Sequence, residues 1–314
     1  MLRQALRGKA RLTVPAGTVY GFLGPNGAGK TTTMRLLTGL LHPDGGTIEI
    51  FGQRFGRGDR RVLFDVGALV KMPSFYPYLS ARTNLRELGA SGAPTTSAKI
   101  DEVLELVDLR DRAAEPVSRF SLGMKQRLGI AAALLSDPRL LLLDEPSNGL
   151  DPAGIVAMRE MLRNLTSLGK TVFVSSHLLA EVRHMADIVG IIAAGRLVRE
   201  GPIDTLLGSE GNVRVRVRPA DVPKAAGILG GLTAPELVRV PDAAAGWISI
   251  QISTDRSEDV NLALARAGVF ASQLELGSDL EELFLRLTEG TDAEDRDGTV
   301  QRVPPLDAVT GARS

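Results

Sequence analysis

The chain of 314 residues contains no cysteine, only one tryptophan and no net charge. Without a thiol, neither a disulfide nor a thiolate metal site is possible, and the composition is compatible with a reducing compartment. Lysine plus arginine and aspartate plus glutamate both number 37. There is therefore no chain-wide basic field to attract nucleic acid or anionic lipid, and we expect no nucleic-acid partner.

Long hydrophobic runs are also missing. No uninterrupted apolar stretch reaches the roughly 18–20 residues that span a bilayer. The leucine run at 140–143 is bounded by residues 137–139 (Asp-Pro-Arg) and by Asp144 and Glu145. The first residues lack the apolar region of a signal peptide. We expect a soluble, intracellular chain whose membrane role, if it has one, comes through a partner.

A glycine-rich stretch carries the strongest motif. Residues 24–31 match the phosphate-loop pattern G-x-x-x-x-G-K-[ST], with a β-prone run before it and a helical pattern after it. In this context the backbone N–H groups and the helix N-terminus can bind phosphate. The alternative is a glycine-rich turn that contains a lysine by chance, and the strand and helix patterns on either side argue against it. We expect Lys30 to reach the β- and γ-phosphates of ATP and Thr31 to bind Mg²⁺. The predicted nucleotide-binding residues here are Gly24, Pro25, Asn26, Gly27, Ala28, Gly29, Lys30, Thr31 and Thr32.

Two acids end the four-leucine strand at 140–143. An apolar strand that ends beside a phosphate loop can place a carboxylate next to Mg²⁺, and Asp144 suits that role. Glu145 points elsewhere and can accept a proton from an attacking water. The acid pair alone is weak evidence for a site. Because it follows a complete phosphate loop, it predicts that Asp144 is a metal ligand and Glu145 a catalytic base.

The order of the patterns predicts an α/β fold with a mostly parallel sheet. Continuous apolar runs at 140–143, 171–174 and 188–192 are typical of buried parallel strands. Shorter strands are expected at 47–50 and within 61–70, which gives a β-rich N-terminal part. Residues 80–136 show helical spacing instead and predict an inserted helical subdomain.

A different pattern begins near residue 211. Residues 213–218 alternate valine and arginine, and the elements that follow predict a βαββαβ order typical of a small α+β, ferredoxin-like domain. We place it at 211–290, with a closing helix at 280–287 and a disordered tail at 291–314. The three arginines are either an anion-binding face or, as their lack of aromatic neighbours favours, a solvated strand face.

With these elements in place, the chain resembles the ATP-binding-cassette (ABC) ATPases. Residues 120–127 (Phe-Ser-Leu-Gly-Met-Lys-Gln-Arg) resemble the signature motif, usually L-S-G-G-Q, and residues 148–151 (Asn-Gly-Leu-Asp) resemble the D-loop. Ser-Ser-His at 175–177 resembles the segment that carries the switch histidine. The resemblance covers about residues 5–210. The signature variant, residues 75–80 and the C-terminal extension are similar to ATPase subunits of bacterial drug exporters of the daunorubicin/bacitracin-resistance type.

The resemblance implies an ATP-hydrolysing domain at 1–210 that forms a head-to-tail homodimer with two ATP molecules and Mg²⁺ at the interface. Ser121 and Gly123 of one subunit would face the γ-phosphate held by Lys30 of the other, with Asp151 in the D-loop nearby. His177 would contact the γ-phosphate and act with Glu145 in catalysis. The alternatives without a catalytic role are that Ser121 only caps a helix and that His177 is a histidine of the hydrophobic core.

The family also implies an integral-membrane permease as partner, which would place the chain on the cytoplasmic face of the membrane. The permease would dock near Phe75, Tyr76 and Tyr78, although aromatic residues at a domain junction are as often core. We expect export of a drug or antibiotic. A soluble ABC ATPase of DNA repair or translation and a non-hydrolysing nucleotide sensor are the alternatives.

Two departures from the family pattern bear on these expectations. Lys71 occupies the position where relatives carry a glutamine that touches Mg²⁺ and the attacking water, and a cation cannot ligate a metal. The chain also begins after the point where relatives have an extra strand and an aromatic residue that stacks on adenine. Either the true start lies earlier or base stacking is lost.

Overall fold

The computed structural model of the chain describes residues 12–56, 60–71, 74–90, 95–207 and 212–277. The predicted closing helix and tail lie outside these residues. In the described ranges, no helix combines the length and the apolar character that a membrane span requires.

The strands are β1 (Val19–Leu23), β2 (Ile48–Ile50), β3 (Gln53–Phe55), β4 (Val66–Leu69), β5 (Leu140–Asp144), β6 (Thr171–Ser176), β7 (Ile188–Ala193), β8 (Arg196–Pro202), β9 (Asn212–Arg216), β10 (Val238–Asp242), β11 (Trp247–Gln251) and β12 (Gln273–Gly277). The helices are α1 (Lys30–Leu37), α2 (Ala81–Ala90), α3 (Ser97–Leu106), α4 (Leu122–Leu134), α5 (Pro152–Ser167), α6 (Leu179–Met185), α7 (Ile203–Leu207), α8 (Val222–Leu229) and α9 (Ser257–Arg266).

A six-stranded sheet in the order β4-β5-β6-β1-β7-β8 forms the core. Its neighbouring strands are parallel except for β8, which is antiparallel to β7. Both faces of the central strands are buried, which explains their continuous apolar sequences. On one face the rings of Tyr20 and Phe173 stack with their centroids 5.1 Å apart. The predicted mostly parallel α/β fold is confirmed, and the carboxyl ends of β1, β5 and β6 meet at one edge.

The helical insert lies between β4 and β5 and consists of α2, α3 and α4. Its apolar residues, among them Leu85, Val103 and Leu128, join the largest hydrophobic core together with strand residues such as Leu141. An ion cluster also connects the insert to the sheet, because Asp137 contacts both Lys99 of α3 and Lys170, which precedes β6. The insert is thus packed onto the sheet by apolar burial and by charge.

A second, antiparallel sheet has the order β10-β11-β9-β12. Two helices separate its strands in the order β-α-β-β-α-β, which is the predicted ferredoxin-like order. Val213 and Val215 are fully buried in a separate core, while Arg214 and Arg216 place their guanidinium groups 4.8 and 5.8 Å from the Trp247 ring centroid. These arginines therefore lie against an aromatic partner that the spacing of the sequence did not reveal. The domain boundaries stay a prediction.

The structure refines the predicted strands in four places. Within the predicted segment 61–70, only residues 66–69 join the sheet, and residues 61–65 form a 3-10 turn in which Val62 is buried and Phe64 is 76% exposed. The strand predicted at 47–50 is confirmed as β2, and β3, which was not predicted, pairs with it in a hairpin. Strand β8 was missed because its charged residues conceal it, as is common for an edge strand. The last strand of the predicted βαββαβ order, which the sequence pattern places at residues 269–276, begins only at Gln273.

Candidate active site

The phosphate loop joins β1 to α1 at the carboxyl edge of the sheet. Gly27 and Gly29 have φ angles of 81° and 109°, which side-chain-bearing residues rarely adopt. At Gly24 a Cβ atom would lie 2.4 Å from the carbonyl oxygen of Ile192. Gly29 is also the N-cap of α1, and it brings no side chain that would occupy the first amides of the helix. The loop therefore leaves backbone N–H groups for an anion.

Lys30 lies at the base of this loop and is only 6% exposed. Its Nζ donates to the carbonyl oxygens of Gly24 at 2.7 Å and Pro25 at 3.2 Å. The same Nζ lies 3.1 Å from Oε1 of Glu145. The ammonium is thus held between the loop and the acid at the end of β5, where a phosphate bound in the loop would meet it.

Asp144 brings a carboxylate to the start of α1. Its Oδ2 accepts a hydrogen bond from Thr31 Oγ1 at 2.7 Å, and its Oδ1 accepts one from Ser175 Oγ at 2.6 Å. A hydroxyl and a carboxylate oxygen are the ligands that Mg²⁺ prefers, so Thr31 and Asp144 fit the predicted metal. In the described ranges, no group of three or more His, Cys, Asp or Glu could hold a metal ion. A metal that arrives with a nucleotide needs fewer protein ligands, because phosphate oxygens and water complete its shell.

Glu145 stands between two partners. Its Oε1 contacts Lys30, and its Oε2 lies 2.8 Å from Nδ1 of His177. An ionised carboxylate only accepts hydrogen bonds, so Nδ1 carries the hydrogen in this contact. The backbone of Glu145 has a φ of 50°, and its N–H donates to Ser175 Oγ at 3.0 Å. Such a conformation costs about 1–3 kcal/mol and persists only where its surroundings impose it.

Lys30, Glu145 and His177 line one open cleft of about 440 Å³. The structure brings the phosphate loop together with both predicted catalytic residues, Glu145 and His177, and adds Asn148, which sequence reasoning had placed only in the D-loop. A carboxylate that can take a proton from water, beside a cation and an imidazole, suits the hydrolysis of a phosphoanhydride. The lining residues are Asn26, Gly27, Gly29, Lys30, Thr31, Thr32, Glu145, Asn148 and His177.

The predicted nucleotide ligands outside the phosphate loop lie in a second open cleft, of about 500 Å³. Ser121 and Gly123 line it together with Asp151, and none of the three is among the residues that line the first cleft. Ser121 caps α4 by accepting from the N–H of Met124 at 3.3 Å, and Asp151 caps α5 by accepting from the N–H of Gly154 at 3.0 Å. Within one chain, the structure therefore does not bring the signature residues to the phosphate loop.

Comparison with known proteins places this geometry in a family. A family model described as ABC transporter matches residues 8–148. The bacitracin transport ATP-binding protein BcrA of Bacillus licheniformis is 50% identical over 196 residues, which cover 62% of this chain and 64% of that protein. The daunorubicin resistance ATP-binding protein DrrA3 of Streptomyces coeruleorubidus is 38% identical over 286 residues, 88% of this chain and 89% of that protein. The chain belongs to the ABC transporter ATP-binding proteins.

The predicted resemblance to the daunorubicin/bacitracin-resistance type is thereby confirmed. The match covers just under two thirds of the length of the Bacillus protein. Among solved structures, cbiO1 of Clostridium perfringens, described as part of the ABC transporter complex cbiONQ, is similar with a TM-score of 0.59 and 23% identity. That similarity covers 74% of this chain and 90% of cbiO1, and it shows a shared fold.

One ABC site residue escaped the sequence reasoning. Ser175 was noted only as part of the histidine motif, yet its hydroxyl donates to Asp144 and accepts from the N–H of Glu145. It is fully buried and lies beside Asp144 in the register of β5 and β6. The available signal was a pair of serines at the end of an otherwise apolar buried strand, where a hydroxyl needs a polar partner.

The segment after β4 carries Lys71, the predicted departure from the ABC pattern. Lys71 lies two residues beyond the end of β4, and its side chain is exposed. Farther along, Tyr76 and Tyr78 are 54% and 72% exposed, with ring centroids 6.0 Å apart. Phe75 instead packs against the core. The structure thus separates the predicted aromatic docking cluster into one packed ring and two exposed rings.

Proposed function

We propose that this ABC protein binds and hydrolyses ATP to drive a separately encoded permease that exports a drug or antibiotic. The observation that carries the proposal is the position of the Glu145 carboxylate, 3.1 Å from Lys30 and 2.8 Å from His177 inside the phosphate cleft. The functions named for its relatives, bacitracin transport and daunorubicin resistance, support the export role.

Each group in the cleft has a distinct task. Lys30 and the N–H groups of the loop bind the β- and γ-phosphates, and Thr31 with Asp144 holds Mg²⁺, which neutralises phosphate charge when bound. Glu145 accepts the proton of the attacking water. His177, oriented through Nδ1 by Glu145, presents its other ring nitrogen towards the γ-phosphate and the water.

A second copy of the chain completes the site. The signature residues Ser121 and Gly123, with Asp151, line a cleft of their own, so they can meet a nucleotide held by the phosphate loop of a partner subunit. A head-to-tail homodimer satisfies both clefts with two ATP molecules. The N-terminus of α4 supports this role, because it adds partial positive charge at Ser121.

The contact with the permease involves the exposed rings of Tyr76 and Tyr78. Large aromatic side chains are frequent at the energetic centre of protein interfaces. The backbone N–H of Tyr76 donates to the buried side chain of Asn84 at 2.8 Å, which fixes the segment that carries both rings. This docking places the chain on the cytoplasmic face of the membrane, with the C-terminal sheet as an additional domain.

The experiment combines hydrolysis with complex formation. The chain is purified alone and together with the product of a neighbouring gene that encodes about six apolar spans, and phosphate release is measured with ATP and Mg²⁺ for the parent and Glu145→Gln. We expect turnover in the parent, none in the variant, co-purification, and efflux of a drug from cells that express both genes. Turnover combined with a failure to co-purify with the membrane protein and to export a drug would indicate a soluble ABC ATPase instead.

A non-hydrolysing nucleotide sensor is the second candidate, and the lysine at position 71 favours it. In this case ATP binds, but phosphate release stays at background level both alone and with the permease. The same assay therefore decides between the two functions.

A further inference from the structure

One carboxylate outside the phosphate cleft contacts both segments that carry the proposed catalytic pair. Glu181 lies in the first turn of α6. Its Oε2 accepts a hydrogen bond from Ser147 Oγ at 2.5 Å and another from Ser176 Oγ at 3.1 Å. Neither the phosphate loop nor the second cleft includes Glu181.

The two serines lie close to the proposed catalytic residues in sequence, so a shift of either serine would displace Glu145 or His177. Ser147 follows Glu145 by two residues, and Ser176 directly precedes His177. Both side chains are almost fully buried, at 3% and 1% exposure. A buried hydroxyl without a hydrogen-bond partner is costly, so the carboxylate holds both segments in one arrangement.

The segment after β5 needs such a restraint. Glu145 has the positive φ angle described above, and its carbonyl oxygen accepts from the N–H of Asn148 at 3.1 Å, which closes a tight turn around Ser147. On the other side, the N–H of Leu178 donates to Ser176 Oγ at 3.0 Å at the start of α6. The contacts of Glu181 therefore tie a strained turn to the end of the neighbouring strand.

We propose that Glu181 is a positioning residue for hydrolysis: through Ser147 and Ser176 it holds Glu145 and His177 at the separation that catalysis needs. This inference rests on the proposed roles of Glu145 and His177. Glu181 acts mainly on the chemical step, because its two hydrogen bonds go to the segments that carry Glu145 and His177, and the phosphate loop meets them only through the Gly24 N–H, which donates to the carbonyl oxygen of Ser176 at 3.3 Å.

The variants separate acceptor geometry from charge. Glu181→Ala removes the acceptor, and we expect kcat to fall by about ten- to a hundredfold, since a displacement of about 1 Å costs about 10²-fold. The Kd of ATP, measured by equilibrium binding, should change by no more than about fivefold, the change expected from releasing Lys30 from Glu145, because the residues of the phosphate loop are kept. Glu181→Gln keeps an oxygen that accepts from both hydroxyls, so its kcat should stay within about threefold of the parent.

Double variants test the route through the serines. Ser147→Ala and Ser176→Ala should each lower kcat, and adding Glu181→Ala to the Ser147→Ala, Ser176→Ala double variant should lower it little further, since the three residues act as one unit. Glu160, which is exposed on α5, provides the matched control. Glu160→Ala and Glu160→Gln should match the parent.

Several outcomes would overturn the proposal. They are a Glu181→Ala kcat within twofold of the parent, an equal loss of ATP affinity and kcat, and a Glu181→Gln variant as slow as Glu181→Ala. Thermal midpoints of all variants, measured with the same preparations, identify any variant that loses kcat because it unfolds. If Glu181→Ala is such a variant, the kcat of Glu181→Gln decides whether the proposal stands. Glu145→Gln is run alongside: if it hydrolyses at the parent rate, the proposed catalytic role fails, whereas an inactive Glu145→Gln with an unaffected Glu181→Ala refutes only the positioning role.

Discussion

Replacing Glu145 with glutamine tests the centre of the proposed site while preserving the shape of the side chain. In the structure one carboxylate oxygen contacts Lys30 and the other contacts His177. An amide keeps an oxygen and a similar volume but cannot accept the proton of water. The variant should therefore lose turnover without losing the cleft. A positioned general base contributes about 10²–10⁴-fold, so turnover should fall by at least a hundredfold.

The same change should tighten ATP binding. Two unit charges 3.1 Å apart attract by about 5 kcal/mol at an effective dielectric of 20, which holds Lys30 on Glu145 before a phosphate arrives. Desolvation offsets most of that attraction, and Lys30 also donates to two carbonyl oxygens, so we take a net effect of about 1 kcal/mol. Glutamine removes this competition and the repulsion between carboxylate and phosphate. A gain of about 1 kcal/mol corresponds to about fivefold in Kd.

The assay joins phosphate release, equilibrium ATP binding and gel filtration with ATP and Mg²⁺. Intact ATP bridging Lys30 of one subunit and Ser121 of the other should hold the variant as a dimer, while the parent cycles. Glu160→Gln, the same chemical change at an exposed site, is the control. Parental turnover in Glu145→Gln would refute the role of Glu145 as base. A variant that stays monomeric at saturating ATP would refute the head-to-tail arrangement.

Three further changes give distinct readouts. On the proposal that the exposed Lys71 reaches the Mg²⁺ site of the assembled protein, Lys71→Gln should raise single-turnover hydrolysis and sharpen its Mg²⁺ dependence, because an amide oxygen replaces a cation; identical Mg²⁺ titrations would show that the lysine takes no part. Gly24→Ala places a Cβ 2.4 Å from a β7 carbonyl oxygen and should lower the free energy of unfolding by about 1–3 kcal/mol, whereas Gly45→Ala, with no heavy atom within 4 Å, should not in a denaturant titration. A hydrogen bond from Lys170 lowers the pKa of Asp137, so its stabilising effect is present above the unfolded-state pKa and is lost as the pH falls through the folded-state pKa. Asp137→Asn should therefore cost about 0.2–1 kcal/mol near pH 7, and denaturation midpoints should show the difference vanishing in acid.

Local patterns predicted the parts of the fold that depend on neighbours in sequence. The phosphate loop needs glycines in a fixed order, and the buried parallel strands need continuous apolar residues, so both are visible without a structure. Strand β8 was invisible because its position at the sheet edge tolerates charge. Its Glu200 accepts from the buried hydroxyl of Tyr20 at 2.6 Å, 180 residues away in sequence. No local pattern encodes such a contact.

In the candidate site, too, local motifs predicted some features and the order of the strands determines the others. The identities of Thr31, Asp144, Glu145 and His177 follow from motifs, but the hydrogen bond between Thr31 and Asp144 joins residues 113 apart in sequence and depends on the order of the strands. The turn after β5 combines both kinds of information. It begins with Glu145 at the phosphate cleft and ends with Asp151 at the second cleft. Because one short segment lines both clefts, a shift imposed by a partner at Asp151 would move Glu145, the proposed base, and hydrolysis would then depend on assembly.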